Sequence, residues 1–483
     1  MGRIRTNRKK GKVGRTLLVI VGILLVVYVA GIVFFQSHFL IGTKINGVAC
    51  SMRSVAGAEE AITDVVQNFD IIVKERQKKT EHLNGKSFSM DVVFDDSMND
   101  LVKQQRTLLW PISFVIPQQK AIGVHVTYDQ EELKQAVLAL DCAKETNMED
   151  PVDATISYNS EEKEFEAVPE SVGTKVELSK LQEAAESCVK ELNESLNLEK
   201  QDCYVNPTYY EKDEAVTDAL DLANAYINTK VTYDYGTEQV TVEPDQIASW
   251  LKVSGKLKVS FDKEKVAQFV GEMASKYDTI FSTRTFQTSY GYSVTLSKGD
   301  YGWWTNRDAE TKSLISFIKE KKSGTKEVEY LQKAAARGED DLGNTYVEVN
   351  LTRQHVILYK NGKVVDEADC VTGKLKNPTP SGIYSVTYKD HTYENHQVQL
   401  VGENYTSKVD YFIPFNGNIG FHDASWRRVF GGTFYKYKGS HGCVNLPYHM
   451  AVSIYDNMEK GYPVIVYEDP NVPSATTEEK AED

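Results

Sequence analysis

The sequence predicts a multidomain chain with one N-terminal transmembrane helix, two α+β repeat modules, and then a mainly-β domain. Three observations predict it. Thr16–Phe35 is a run of 20 residues without a charge. A strand–Asp–helix pattern occurs at Val126–Gln135 and again at Val259–Gln268, at a constant offset of 133. From about residue 340, helical periodicity gives way to short alternating strands. Composition agrees. At ~100–200 residues per domain, 483 residues make three or four domains. With 41% hydrophobic and 26% charged residues, the chain is not mostly disordered, collagen-like or built of many membrane spans.

The first element is the apolar run. Twenty residues rising 1.5 Å each cross a hydrocarbon core of ~30 Å, and the predicted anchor covers 16–36. The preceding tail, 1–15, holds Arg3, Arg5, Arg8, Lys9, Lys10, Lys12 and Arg15 and no acid, a charge of +7. The positive-inside rule then places the tail in the cytoplasm and the rest of the chain outside a single-pass cell membrane. A cleaved signal peptide is the rival, but no A-x-A-like site follows the run. Taking +7 from the net −14 leaves −21 on the remainder, which excludes nucleic acid as a partner. The six cysteines are too sparse for a disulfide scaffold; a Cys142–Cys188 pair and buried free thiols are both open, and Cys203 is unassigned.

The next two elements are the modules, 50–205 and 210–325. In each, a strand ends at an Asp (Asp129, Asp262) that can cap an amphipathic helix. Helix 58–69 has a counterpart at 214–228, and Gly173 and Gly302 each precede a polar stretch and a further helix. Neither copy gathers catalytic residue types. Trp303 and Trp304 read as core aromatics before they read as a binding platform.

The last folded element is a β-rich domain at 343–467. Val347, Val349 and Leu351 alternate with polar residues, as do Val356 and Leu358, and Asn361-Gly362 carries the signal of a type I′ hairpin turn. A helical pattern starts at Pro447 and ends at Gly461. Residues 469–483 are acidic and rich in Ser, Thr and Pro, a frayed tail.

Chemistry concentrates in this domain. Five of nine histidines (His391, His396, His422, His441, His449) lie there, with Cys443 in Ser440-His441-Gly442-Cys443-Val444-Asn445. A helix start soon after Cys443 is expected to favour the thiolate, which is the nucleophilic form. The Gly442 and Cys443 N–H groups are candidates for an oxyanion site. A base must lie within hydrogen-bond reach. His441, two residues before Cys443, points the same way on an extended strand, and His422 can come from a neighbouring strand. Zinc is disfavoured, because the C-x₂-C and H-x₃-H spacings are absent. No metal and no cofactor is expected.

His422, 17 intervening residues and then Ser440–Asn445 resemble the signature of the YkuD-type L,D-transpeptidases of bacterial cell walls. Thr379-Pro380-Ser381-Gly382 is similar to a segment that opens that family's catalytic fold, and the upstream repeats resemble the peptidoglycan-binding modules of its Gram-positive, enterococcal-type members. The resemblance implies a β-sandwich-like catalytic domain facing the wall. It implies that Cys443 attacks a stem tetrapeptide, that D-Ala leaves, and that a neighbouring amine resolves the thioester as a 3→3 cross-link. It implies His422 as base, with the carbonyl of Asp423 orienting it. His441 becomes a second base or an oxyanion support, and Ser440, Gly442 and Asn445 shape the site. It also implies acylation by carbapenems. Trp426 and Arg428, between the two motifs, are expected to bind substrate together with Asn445.

Two other readings compete. A Cys/His carboxypeptidase or endopeptidase shares the acyl-enzyme and hydrolyses it, and a non-catalytic wall-binding protein keeps only the modules. A sortase fails, because no Arg follows Arg428.

Overall fold

The computed structural model describes residues 10–338, 340–402 and 405–472. Helix Lys10–Phe34 contains Gly14–Phe34, a stretch of mean hydropathy 3.1 that is long and apolar enough to cross a membrane. The basic residues Arg3, Arg5, Arg8 and Lys9 lie outside the described residues. The chain divides into two compact units, the first of which includes this helix. One comprises the residues before Ile156 together with Val168–Asp213, the other Ile156–Ala167 together with Glu214 onward.

The repeat is visible as topology. In the first copy, strands Asp70–Lys74 and Thr80–Asn84 form a hairpin, and Ser195–Asn197 adds to it in parallel after helix Leu178–Glu191. In the second, Val231–Asp234 and Gln239–Val242 form the hairpin, and Gly324–Thr325 adds in parallel after helix Arg307–Lys319. Between these elements each copy has an antiparallel pair followed by a capped helix. Asp129 accepts from Glu132 N at 2.9 Å and Asp262 from Lys265 N at 3.4 Å, the N-cap bonds that the sequence pattern requires. The copies differ in the connection within that pair. Residues 254–258 suffice in the second, whereas 94–124 intervene in the first, with helix Ser97–Lys103, the 3₁₀ turns Thr107–Phe114 and strand Gln118–Lys120.

The C-terminal domain is two sheets on one core. The five-stranded sheet runs Lys363–Asp369, His355–Lys360, Tyr346–Asn350, Pro463–Tyr467, Gly382–Ser385 in spatial order. The four-stranded sheet runs Asp390–His391, Tyr411–Asn416, Ile419–Asp423, Val444–Leu446. Val347, Val349, Val356 and Leu358 of the first sheet meet Ile413, Phe415, Phe421 and Val444 of the second, with Met450 and Ile454 of helix Tyr448–Asn457 closing the core. Asn361 and Gly362 have φ of 51° and 73°, both positive as a type I′ turn demands.

The outer face of the five-stranded sheet is buried too. Ile383, Ile465 and Tyr467 pack on Phe286, Val294 and Leu296 of the second module's hairpin, Arg284–Gln287 with Ser293–Leu296. Strand Pro463–Tyr467 is therefore covered on both faces, and it carries an unbroken apolar run of the kind such strands need.

The structure decides one open alternative and refines two expectations. All six cysteines are free, and five of them, Cys142, Cys188 and Cys203 included, are buried, so no disulfide joins Cys142 to Cys188. The chain is not frayed from residue 469. Asp469 is buried, its N–H donates to Thr352 Oγ1 at 2.9 Å, and its carboxylate holds Asn471 N at 3.0 Å; residues 473–483 lie outside the described residues. Of the tryptophan pair, Trp303 is a packing residue, with Nε1 donating to Ala336 O at 2.8 Å under the Arg337 guanidinium, while Trp304 is exposed.

Candidate active site

Strands Ile419–Asp423 and Val444–Leu446 lie parallel, with Phe421 opposite Val444 and His422 opposite Asn445. The two-residue period of a strand then decides which side chains share a face. Phe421 and Val444 point into the core and are fully buried. Gly420 and His422 on one strand, and Cys443 and Asn445 on its neighbour, fall on the other face. The sequence thus brings one thiol and one imidazole to one surface. A Cβ on Gly420 would lie 2.6 Å from Pro414 Cα on the adjoining strand, so that strand pairing requires glycine, and the Gly420 backbone N–H favours the Cys443 thiolate. The thiol itself donates to Asn418 O at 3.5 Å. Cys443 is the one partly exposed cysteine of the six.

The imidazole of His422 is buried and oriented at both nitrogens. Nδ1 is 2.8 Å from the carbonyl of Asp423, which can only accept, so Nδ1 carries the proton and Nε2 the lone pair. The neighbours of Asn445 assign its amide orientation: the nitrogen belongs toward Nε2, 3.0 Å away, so that the oxygen can accept from Arg427 Nε at 2.8 Å and Nη2 at 3.2 Å, both of which can only donate. Arg427 Nη2 also donates to Lys438 O at 2.7 Å. The Asp423 carboxylate holds the N–H groups of Asp410 and Tyr411, at 2.7 and 2.9 Å, and so fixes the start of the adjoining strand.

Burial sets the charges. It lowers the His422 pKa from its ordinary 6.5, so the ring is neutral at pH 7. It raises the Cys443 thiol above 9.0, partly offset by the Gly420 N–H. The expectation of a helix-stabilised thiolate is not met. Strand Val444–Leu446 separates Cys443 from helix Tyr448–Asn457, and the dipole effect does not reach beyond the first turn.

The turn before Cys443 is held by hydroxyls. Ser440 Oγ donates to Cys443 O at 2.5 Å and accepts from Gly442 N at 3.0 Å. Thr379 Oγ1 donates to Gly442 O at 2.6 Å and accepts from Gly373 N at 3.0 Å. Gly442 has φ +126°, and a Cβ there would sit 3.1 Å from Ile419 Cδ1. That backbone breaks the extended geometry expected to aim His441 alongside Cys443. His441 is exposed, with Nε2 3.1 Å from Lys374 Nζ.

The other candidates sort by place. Asn445, expected to meet substrate, is buried and orients His422 instead. The N–H of Gly442, a candidate oxyanion donor, is taken by Ser440. Trp426 is exposed, its ring roughly parallel to His422 with centroids 5.9 Å apart. Arg428 is exposed, and the arginine that braces the site is its neighbour Arg427. His391 and His396 are tied to Tyr455 (2.8 Å) and Asp390 (2.9 Å). Sequence reasoning missed the roles of Asn418, Lys374 and Thr379. Only Thr379 lay in a motif that had drawn notice.

Residues 344–466 match the family described as the L,D-transpeptidase catalytic domain (YkuD). Residues 111–197 and again 212–326 match the family described as "Putative peptidoglycan binding domain". Among solved structures, a mutant of the Enterococcus faecium L,D-transpeptidase is 33% identical, covering 52% of this chain and 100% of that one, with a TM-score of 0.42. The catalytic domain of the E. faecium enzyme, solved by NMR, is 38% identical over 26% of this chain and 97% of that one, TM-score 0.24. The same domain acylated by ertapenem is 37% identical over 26% and 98%, TM-score 0.24. No curated protein matches the chain.

Proposed function

The chain belongs to the YkuD L,D-transpeptidase family and is an L,D-transpeptidase, and from that premise we propose that Cys443 forms 3→3 peptidoglycan cross-links through a thioester. The observation that carries this is the pairing of one partly exposed thiol with one buried, neutral imidazole on a single face of adjacent strands.

Cys443 Sγ attacks the carbonyl carbon of the third residue of a stem tetrapeptide. Its proton passes to His422 Nε2, which exchanges its bond to Asn445 for it. Asp423 O stabilises the resulting imidazolium at Nδ1. The developing oxyanion takes the N–H of Cys443, since that of Gly442 is engaged. Collapse breaks the C–N bond, and His422 returns the proton to the departing D-Ala amine. An amine of a second stem or its cross-bridge then attacks the thioester, His422 accepts its proton, and Sγ leaves. His441 sits at the rim beside Lys374, in a place suited to a secondary role.

The N-terminal helix serves as the anchor. Its hydropathy and the basic tail before it support an uncleaved span with the catalytic domain outside, facing the wall. The repeats at 50–205 and 210–325 carry or space the domain at 343–467 toward murein.

Mass spectrometry after incubation with a tetrapeptide donor tests the proposal. Loss of D-Ala with dimer formation is expected. Tripeptide alone would mean hydrolysis, and no adduct at Cys443 would remove the nucleophile from the scheme. The ertapenem adduct of the E. faecium domain supports carbapenems as covalent inhibitors here.

A further inference from the structure

The insertion that distinguishes the first module holds a long uncharged stretch. Between Arg106 and Lys120 there are 13 residues, Thr107–Gln119, without a charge. Leu108, Leu109, Ile112, Phe114, Val115 and Ile116 are all exposed, Phe114 at 66% and Val115 at 82%. A contiguous apolar patch of this kind on a loop is a contact surface for something absent from the isolated chain.

What it contacts can be argued from where it is held. Trp110 Nε1 donates to Tyr28 O at 3.0 Å, and the Tyr28 hydroxyl donates to Leu108 O at 2.7 Å. Gly31 makes the approach possible, because a Cβ there would lie 2.4 Å from the indole. Phe35 adds a ring contact to Trp110 at 5.6 Å. Tyr28 and Gly31 lie inside the apolar helix. At 1.5 Å per residue they are roughly 4–9 Å short of its outer end at Phe34. A segment clamped to those residues is at the depth where interfacial amphipathic segments lie, ~5–10 Å into the headgroup and acyl boundary.

We infer that Thr107–Ile116 is inserted in the outer leaflet beside the N-terminal helix, with its exposed apolar side chains among lipid acyl chains, so that the first module is fastened to the bilayer at two places. The inference rests on the helix being a membrane anchor. The local backbone suits lipid, where polar groups must be satisfied internally. Leu109 N bonds Arg106 O at 2.8 Å, Val115 N and Ile116 N each bond Ile112 O at 3.0 Å, and Ser113 Oγ bonds Trp110 O at 2.6 Å. Arg106 and Lys120, both exposed, bracket the segment where anionic headgroups would lie. A protein partner is the weaker occupant, because the helix face alongside is itself solvent-exposed apolar surface from Leu17 to Phe34.

The test uses the full chain in vesicles of phosphatidylglycerol and phosphatidylcholine, with photoactivatable benzoylphenylalanine placed singly at Val115, at Leu24 in the helix, or at Val152, an exposed position of the same unit. Irradiation is expected to give lipid adducts at 24 and 115 in several-fold excess over 152. Adducts at 24 with position 115 at the level of 152, or with 115 joined to another polypeptide, would overturn the inference and leave the anchor standing. Absence of lipid adducts at 24 would overturn the anchor, and the inference with it.

Discussion

At the residue scale, the site is a thiol raised by burial beside an imidazole lowered by burial, both uncharged at neutral pH. The nucleophile therefore has to lose its proton during attack rather than before it. Alkylation of Cys443 by iodoacetamide should climb with pH through a value above 9.0; a plateau near neutrality would reveal a preformed ion pair and defeat this reading. Cys443→Ala should abolish carbapenem acylation and leave the Tm unchanged, since the side chain is partly exposed. His422→Ala should slow acylation by about 10²–10⁴, the usual worth of a general base, with His441→Ala milder. Equal losses in single-turnover assays would redistribute the roles. The lowered His422 pKa also has a sign in stability. Folded protein binds fewer protons at this ring than unfolded protein does, so stability falls as pH drops through 6.5 toward the folded value. Cys443 and His422 were legible in the sequence because nucleophile and base are scarce residue types in a long motif. The Asn445–Arg427 brace was not. Asn445 reads equally well as a substrate donor until the register with His422 is known, and adjacent arginines, Arg427 and Arg428, differ only in which side of the loop they leave.

At the element scale, local signals that carry their own geometry were readable. Asn361-Gly362 announces a turn with two positive φ values, and Asp129 and Asp262 announce helix starts because a short carboxylate satisfies an orphan N–H. The strand Val444–Leu446 was not readable. Three residues with a buried polar one at the centre give no alternation, and only pairing to Ile419–Asp423 makes them a strand. Without that strand, Cys443 falls at a helix end and its expected acidity turns the wrong way. The turn preceding it offers a test. Gly442→Ala forces a side chain onto φ +126° and against Ile419, which should destabilise the protein by more than about 1 kcal/mol. It should also loosen the Ser440 clasp on Cys443, so acylation by a carbapenem slows even at temperatures where the variant is fully folded. An unchanged acylation rate would show that the turn does not position the sulfur.

At the scale of the whole molecule, each repeat hands its second hairpin to the next body along the chain. Ile156–Ala167, the body of the first copy's hairpin, belongs with the second unit, where Phe165 exchanges backbone bonds of 2.8 and 3.0 Å with the Asn224 amide on helix Glu214–Ile227. The second copy's hairpin caps the catalytic sheet. No local pattern encodes such an exchange, so the sequence shows two modules without showing which hairpin serves which core. One consequence concerns cooperativity. Glu348, 1% exposed in the catalytic sheet, accepts from Ser289 N at 3.1 Å, from the Ser289 hydroxyl and from the Tyr467 hydroxyl, and so ties the hairpin to the sheet. If that seam is as continuous as the shared apolar core, the second module and the catalytic domain melt together. Calorimetry of the full chain in detergent should resolve one transition for Glu214 onward and not two. Glu348→Ala leaves the hydroxyl of Tyr467, a fully buried residue, without its acceptor, at about 1–3 kcal/mol, and cuts the tie to Ser289, whose hydroxyl keeps Tyr359 as a partner. That joint transition should therefore fall by several degrees while the transition of the other unit holds still. A catalytic-domain transition that separates from the module, or one that ignores Glu348→Ala, would mean that the seam joins two bodies that fold apart.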